Sequence, residues 1–265
     1  MTQVTSNVPE GTPNWLDIGL PDLDRARTFY GTLFGWQFED AGAEAGHYNQ
    51  CKLRGVPVAG MMQNPEDRPD EYWWTVYIAA DDCDGIAKRA ADAGGEVVVP
   101  PMDVMTIGRM AIVRDPQGGQ FGLWQGRDHH GSGIVNEPGS FVWNELVTPD
   151  AKAAADFYQA VFGYEPEPMP GDMDYTVLKR AADGRYIGGI LGGADMLLGN
   201  GRTRVPSWTT YFAVEDADEA VRKVTAGGGT VDSGPADSPY GRSAAVRDPF
   251  GVPFHVMKPA PEQGT

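Results

Sequence analysis

Hydrophobic and polar residues alternate along residues 14–20, with Trp15, Asp17 and Gly19 on one side and the aliphatic residues between them on the other. This two-residue period predicts a short β-strand. Pro21-Asp22 follows, and apolar residues then recur at helical spacing up to Phe34-Gly35. Asp22 is suited to cap the first turn of a helix. A strand followed by a helix is therefore expected over residues 14–35.

The same patterns continue through the first half of the chain. Apolar or alternating runs predict strands at residues 48–53, 56–62, 75–80, 96–99, 109–114 and 120–125, with a second helix over residues 83–93. The last two strands are joined by D-P-Q-G-G, which is a turn sequence. We interpret this order as two consecutive βαβββ units.

The pattern then occurs a second time. Residues 15–35 return at 143–163, residues 73–84 return at 207–218, and residues 108–122 return at 241–255. A repeat spaced this widely indicates duplication of a whole domain, because solenoid repeats are much shorter. We predict an α+β protein of four βαβββ units, with a first domain at 10–127, a linker at 128–139 and a second domain at 140–260.

Composition limits the possible partners. The chain has 41% hydrophobic residues, and none of its apolar runs approaches the ~20 residues of a membrane span. Its formal charge of −16 argues against a nucleic-acid surface, which needs a basic face. We found neither a signal-peptide pattern nor an element with metal-ligand spacing. A cytoplasmic protein without a membrane or nucleic-acid partner is expected.

Two motifs carry a family resemblance. Both copies end their first helix with F-Y-x-x-[LV]-F-G, and both place D-P-x-G before their last strand. This arrangement resembles the vicinal oxygen chelate superfamily, which contains glyoxalases, extradiol dioxygenases and bleomycin-binding proteins. The segments W-N-E-L-V-T, G-L-W-Q and V-M-K-P-A-P look like a tandem glyoxalase-like family that includes a mycobacterial culture-filtrate antigen. The resemblance implies sheets curled into open cups.

The resemblance also implies where metal ligands would lie. The matched positions are Trp15, Gly60, Thr75 and Gly122 in the first copy, and Trp143, Gly189, Thr209 and His255 in the second. Of these only His255 is an ordinary metal ligand. We therefore predict that the usual metal site is lost and that no cofactor is needed. An atypical site built from His255 and Glu145 remains an alternative.

Candidate site residues follow from strand alternation. If the second domain is catalytic, His255 and Glu145 could act as acid and base, and Tyr211 could donate to an oxyanion. His255 is the strongest candidate because its counterpart is Gly122, so the fold does not require it. The expected ligand-contacting residues are Trp143, Trp208, Thr209, Met257 and Arg242 in the second domain, and Trp15, Asp17, Tyr77 and Trp124 in the first.

Structural roles compete with each of these assignments. Asp17 and Glu145 could instead form buried ion pairs with Arg109 and Arg242, which also recur. Three functions stay open: a binding protein for a small aromatic or carbonyl-containing molecule, a metal-independent lyase, isomerase or cyclase, and a metal-dependent glyoxalase or dioxygenase. A monomer is expected, because two domains in one chain can make the contacts that single-domain relatives make by dimerising.

Overall fold

The computed structural model describes residues 3–64, 72–193 and 206–261. The elements of the first half are β1 (Pro13–Leu20), α1 (Leu23–Phe34), β2 (Gln37–Asp40), a short 3-10 helix (Ala43–Ala45), β3 (Asn49–Leu53), β4 (Val56–Gln63), β5 (Trp74–Ala79), α2 (Cys83–Asp92), β6 (Glu96–Val104), β7 (Gly108–Arg114) and β8 (Gln120–Gly126). Those of the second half are β9 (Phe141–Thr148), α3 (Ala151–Phe162), β10 (Tyr164–Pro168), β11 (Tyr175–Arg180), β12 (Tyr186–Gly192), β13 (Ser207–Ala213), α4 (Ala217–Ala226), β14 (Thr230–Ser238), β15 (Gly241–Arg247) and β16 (Pro253–Pro259).

The two halves have the same topology. The first sheet has the order β2-β3-β4-β1-β5-β8-β7-β6, and the second has the order β10-β11-β12-β9-β13-β16-β15-β14. In each sheet the first strand of the domain pairs in parallel with the fourth and antiparallel with the fifth. The α+β fold with two tandem domains of two βαβββ units each is therefore confirmed.

An aspartate caps the N-terminus of each of the helices α1 to α4. The side chains of Asp22, Asp82, Asp150 and Asp216 each accept a hydrogen bond from the backbone N–H three residues later. Such caps satisfy one of the amides that the first helical turn leaves without a partner. At the other end of α1, Gly35 has a φ of 73°, a left-handed conformation that glycine adopts without steric cost. These residues recur because each repeat must start and stop the same helix.

One hydrophobic core joins the two domains. The helix-facing residues Leu16 and Ile18 are completely buried, and the core contains residues of both sheets and all four helices. Phe34 of α1 lies 4.8 Å from Phe212 of β13, measured between ring centroids. None of the helices in the described part of the chain is long and apolar enough to cross a membrane.

The recurring Phe-Tyr and Asp-Pro motifs meet across this interface. Tyr30 Oη in α1 donates to Asp248 Oδ2 of the second domain at 2.9 Å, and Tyr158 Oη in α3 donates to Asp115 Oδ2 of the first at 3.1 Å. Each aspartate also accepts two backbone N–H bonds within its own turn, and burial raises its pKa. The motifs that carry the family resemblance are therefore reciprocal contacts between the domains.

Candidate functional site

Strand register brings the predicted residues of the first domain together on one face of the first sheet. Trp15 of β1 lies opposite Tyr77 of β5, and Asp17 lies between Gly60 and Thr75. Trp124 of β8 follows Gly122 on the same face, because side chains two residues apart share a side of a strand. We call this concave face, with Trp15, Asp17, Tyr77 and Trp124, the first cup.

Asp17 is a buried carboxylate with hydroxyl partners. Tyr77 Oη donates to Asp17 Oδ2 at 3.0 Å. Burial raises the pKa of Asp17 from its ordinary 3.8 to about 7, although hydrogen bonds from Tyr77, Thr75 and Tyr48 favour the charged form and lower it in part. Asp17 therefore changes its ionisation near neutral pH.

The first cup is filled by the protein's own side chains. Trp15, Tyr77 and Trp124 are 4%, 5% and 6% exposed. The linker residue His129 lies edge-on to the Trp15 ring, with 4.4 Å between centroids, and its carbonyl accepts a 2.8 Å hydrogen bond from Trp124 Nε1. Burial lowers the pKa of His129 to about 4, so the ring is neutral at pH 7. Linker and cup thus form one packed unit.

The equivalent face of the second sheet repeats the Trp–Tyr and Tyr–carboxylate contacts and adds a histidine. Tyr211 Oη donates to Glu145 Oε1 at 3.3 Å, and Trp143 Nε1 donates to Tyr175 Oη at 3.0 Å. The rings of Tyr211 and His255 are stacked, with centroids 4.0 Å apart and planes 19° from parallel. These residues and Met257 form what we call the second cup, with the buried Thr209 beside Glu145 in the register.

The two cups differ in how far their walls are open to solvent. In the second cup Trp143, Tyr211, His255 and Met257 are all partly exposed, whereas Trp15, Tyr77 and Trp124 in the first cup are buried. Only the carboxylate is equally buried in both, since Asp17 and Glu145 are each 7% exposed. The second cup therefore presents an accessible aromatic wall around a buried acid.

Neither cup fits the divalent metal that the resemblance to the vicinal oxygen chelate superfamily implies. A Cβ placed on Gly60 would lie 1.6 Å from Tyr48 Oη, and one on Gly122 would lie 2.2 Å from Tyr77 Cδ1. On Gly189 it would lie 2.1 Å from Tyr175 Oη. Tyrosine rings thus occupy the space that ligand side chains need. Within residues 3–64, 72–193 and 206–261, no group of three His, Cys, Asp or Glu side chains could hold a metal ion.

Two expectations from the sequence need correction. The arginines do not pair with the cup acids: Arg109 binds Asp84 and Asp103, and Arg242 binds Asp218 and Asp237. Asp84 and Asp218 stand in the first turns of α2 and α4, so both arginines lie on the helix side of their sheets. Arg242 is therefore not a wall of the second cup.

Trp208 also lies on the helix side. Its Nε1 donates to Tyr158 Oη at 3.0 Å, and its ring is part of the hydrophobic core. Its neighbours Thr209 and Tyr211 occupy the alternate positions of β13, which face the other way. The expectation that Trp208 contacts a ligand in the cup was wrong for this reason.

Three cup residues were not anticipated. Tyr48 and Tyr175 hold the indole N–H groups of Trp15 and Trp143 at 3.0 Å. They could have been found from the repeat, since Y-N-Q-C-K-L and Y-T-V-L-K-R align at residues 48 and 175. No repeat of this kind marks His129, because tertiary packing, and not a local sequence pattern, brings the linker against the first cup.

Comparison with known proteins places this geometry in a family. The sequence profile of the Glyoxalase/Bleomycin resistance protein/Dioxygenase superfamily matches residues 12–123 and 138–256. The chain is 39% identical to the Mycobacterium tuberculosis protein named "Putative glyoxylase CFP32", over 97% of this chain and 98% of that protein. It is also 39% identical to the anthracycline biosynthesis protein DnrV of Streptomyces peucetius, over 94% of this chain and 93% of the relative.

Solved structures share the fold at lower sequence identity. The Mn(II)-bound glyoxalase of Novosphingobium aromaticivorans superposes with a TM-score of 0.66 at 17% identity, covering 95% of this chain and 83% of that one. The 2,3-dioxygenase LapB of Pseudomonas sp. KL28 gives 0.62 at 14% identity, covering 97% of both chains. With the profile match to both halves and the full-length relatives, the chain belongs to the glyoxalase/bleomycin resistance protein/dioxygenase superfamily.

Proposed function

We propose that the second cup binds a small aromatic or carbonyl-containing organic molecule without the help of a metal. The observation that carries this proposal is the difference in exposure between equivalent residues of the two cups. Aromatic groups that are buried in the first cup have partly exposed counterparts in the second. Ligand sites of this kind combine apolar walls with a few fixed polar groups.

The arrangement of the walls suits a flat ligand. The stacked rings of Tyr211 and His255 offer one planar surface, and the Trp143 indole, held by Tyr175, offers another. Fixed aromatic surfaces bind planar rings with little loss of conformational entropy. Glu145 lies deeper and can accept a hydrogen bond from a ligand hydroxyl. Likeness to anthracycline biosynthesis proteins supports a polycyclic aromatic ligand in particular.

A direct titration tests this proposal. With 1,8-dihydroxyanthraquinone as the probe, the native chain is expected to bind, and Trp143→Ala and His255→Ala are each expected to raise Kd several-fold, because each loses an aromatic contact of ~0.5–1.5 kcal/mol. His47→Ala, an exposed histidine of the first domain, is the matched control and should leave Kd unchanged. Unaltered binding by both cup variants would contradict the proposal.

A second candidate is a metal-independent isomerase, lyase or cyclase that uses the same cup. It is favoured by one observation: the hydroxyl of Tyr211 contacts the Glu145 carboxylate while its ring stacks on His255. Glu145 or His255 could take a proton from the carbon beside a ligand carbonyl, and Tyr211 could donate to the oxygen. Deuterium uptake into an α-hydroxy ketone probe in D2O measures this step. Uptake should stop in Glu145→Gln, and uptake equal to the native rate would exclude Glu145 as the base.

The same proposal includes a monomeric chain. The side of each sheet that faces the helices is already buried in the core that the two domains share, and Tyr30 and Tyr158 form hydrogen bonds across it. Sedimentation equilibrium of the native chain should therefore give the mass of one chain, 28.6 kDa. A mass of twice that value would contradict a monomer.

A further inference from the structure

A groove borders the second cup, where the N-terminal segment and the interdomain linker cross the ends of β9 and β12. Its volume is about 370 Å³, within the lower range of ligand sites. Val8, Phe141 and Ile187 supply apolar walls. We call this groove the junction groove. It shares Trp143 with the second cup.

The first domain shows what the equivalent position can hold. There the linker lies between β1 and β4: Ser132 N donates to Asn14 O at 2.7 Å, Gly133 N donates to Pro57 O at 2.8 Å, and Ser132 Oγ donates to Val58 O at 2.8 Å. The repeat counterparts of the three accepting residues are Val142, Tyr186 and Ile187, and all three line the junction groove. The first domain fills this cleft with its own linker, whereas in the part of the chain that the structure describes no linker segment makes the corresponding contacts with Val142, Tyr186 and Ile187.

The charge of the groove differs from that of the rest of the molecule. The chain has a formal charge of −16, yet the groove lining contains two arginines and neither aspartate nor glutamate. Arg180 is already held by Asp183 and Thr12. Arg185 is exposed and forms no ion pair with any residue in the described ranges, although the hydrogen bond from Arg180 and, to a smaller extent, the positive charge of Arg185 lower the pKa of the nearby Asp183. A guanidinium in this situation can hold a carboxylate through two parallel hydrogen bonds.

Asn14 adds a polar group to the same wall. Its side chain is 6% exposed, and its Oδ1 accepts no hydrogen bond from the part of the chain that the structure describes. A buried amide oxygen without a donor is unfavourable, because it has lost its hydrogen bond to water. Asn14 and Arg185 both line the groove, so a hydroxyl or amide donor on a bound molecule that reached this oxygen would be stabilised.

We propose that the junction groove binds a small organic anion, a carboxylate on an apolar or aromatic body, with Arg185 holding the carboxylate. The apolar walls take the body of the molecule, and the arginine supplies the charge opposite to that of the carboxylate. This site is separate from the second cup, whose acid and stacked rings do not line it.

The test compares an acid with its uncharged analogue. Binding of 4-phenylbutyrate and of 4-phenylbutanol is measured by ligand-observed NMR titration of the full chain. The native protein should bind the acid more tightly than the alcohol. Arg185→Gln should weaken binding of the acid by roughly tenfold or more, as expected for loss of a charge-assisted contact, and should leave the alcohol unchanged. Arg222→Gln, an exposed arginine on α4, is the matched control.

Two results would overturn the proposal: no binding of 4-phenylbutyrate by the native chain, or equal binding by the native chain and Arg185→Gln. His255→Ala separates this site from the second cup. It should weaken 1,8-dihydroxyanthraquinone binding without changing the Kd for 4-phenylbutyrate. A parallel loss of both would place the acid in the cup and would contradict a separate groove.

Discussion

Replacing the buried carboxylate of the first cup should change how stability depends on pH. Burial raises the pKa of Asp17 from 3.8 to about 7. The folded state therefore binds the proton on Asp17 more tightly than the unfolded state does, so protonation of Asp17 stabilises the folded state. This contribution to the unfolding free energy is fully present below the pKa of the unfolded state. It is lost as the pH rises towards 7. At ~1.4 kcal/mol per pKa unit, the full loss is about 4 kcal/mol.

Part of this range is accessible in ordinary buffers. Between pH 5.5 and 8, the two pKa values correspond to a loss of about 2 kcal/mol of unfolding free energy. Asp17→Asn cannot ionise, so its unfolding free energy should lack this decrease. The change across pH is the informative quantity, since the amide itself alters the hydrogen bond from Tyr77 by a constant amount.

Urea denaturation of the native chain and Asp17→Asn at both pH values measures the effect. The variant's unfolding free energy relative to native should rise by about 2 kcal/mol from pH 5.5 to pH 8. Asp92→Asn, which removes an exposed carboxylate on α2 paired with Lys88, controls for the general effect of one charge. An equal difference between native and Asp17→Asn at both pH values would refute the reasoning.

Three further predictions concern the packing that fills the first cup and joins the domains. Tyr30→Phe and Tyr158→Phe should each lower the unfolding free energy by about 1.5–3 kcal/mol, because each leaves a buried aspartate without its hydroxyl donor. Urea denaturation measures the unfolding free energy, and a loss below about 0.5 kcal/mol would contradict a role for these hydrogen bonds. Gly60→Ala should lower the unfolding free energy by about 1–3 kcal/mol, because the added methyl group overpacks against Tyr48. In the Tyr48→Ala background the same change should lower the unfolding free energy much less. An equal loss in both backgrounds would show that the Tyr48 ring is not the obstacle. His129→Ala should expose indole to water and shift tryptophan fluorescence to longer wavelength, whereas an unshifted spectrum would mean that the ring does not cover the first cup.

Much of the fold could be predicted because the duplication repeats its signals. Alternation, the Asp22 cap and the Gly35 stop located the first helix and the central strands of the first copy, and the repeat carried these assignments to the second copy. The edge strand β2 was not predicted, and its four residues are mostly exposed and polar. Such a strand forms through pairing with its neighbour, here Phe38 with Cys51, and its own sequence lacks the two-residue period.

The candidate site could be predicted only as far as strand alternation reaches. It correctly placed Asp17 with Tyr77, and Glu145 with Tyr211, on common faces. It did not identify the partners of Arg109 and Arg242, because Asp84 and Asp218 belong to helices that pack on the other face and Asp103 and Asp237 belong to neighbouring strands. The insertion of His129 into the first cup depends on the path of the linker, which local sequence patterns do not specify.

We propose that the two cups have different roles: the first is filled by the protein's own side chains, and the second takes a ligand. A crystal structure of the chain with 1,8-dihydroxyanthraquinone tests this most directly. We expect ring density between Trp143 and the stacked Tyr211 and His255 rings, with His129 still packed on Trp15. Density for the probe in the first cup, with His129 displaced and the second cup unchanged, would contradict it.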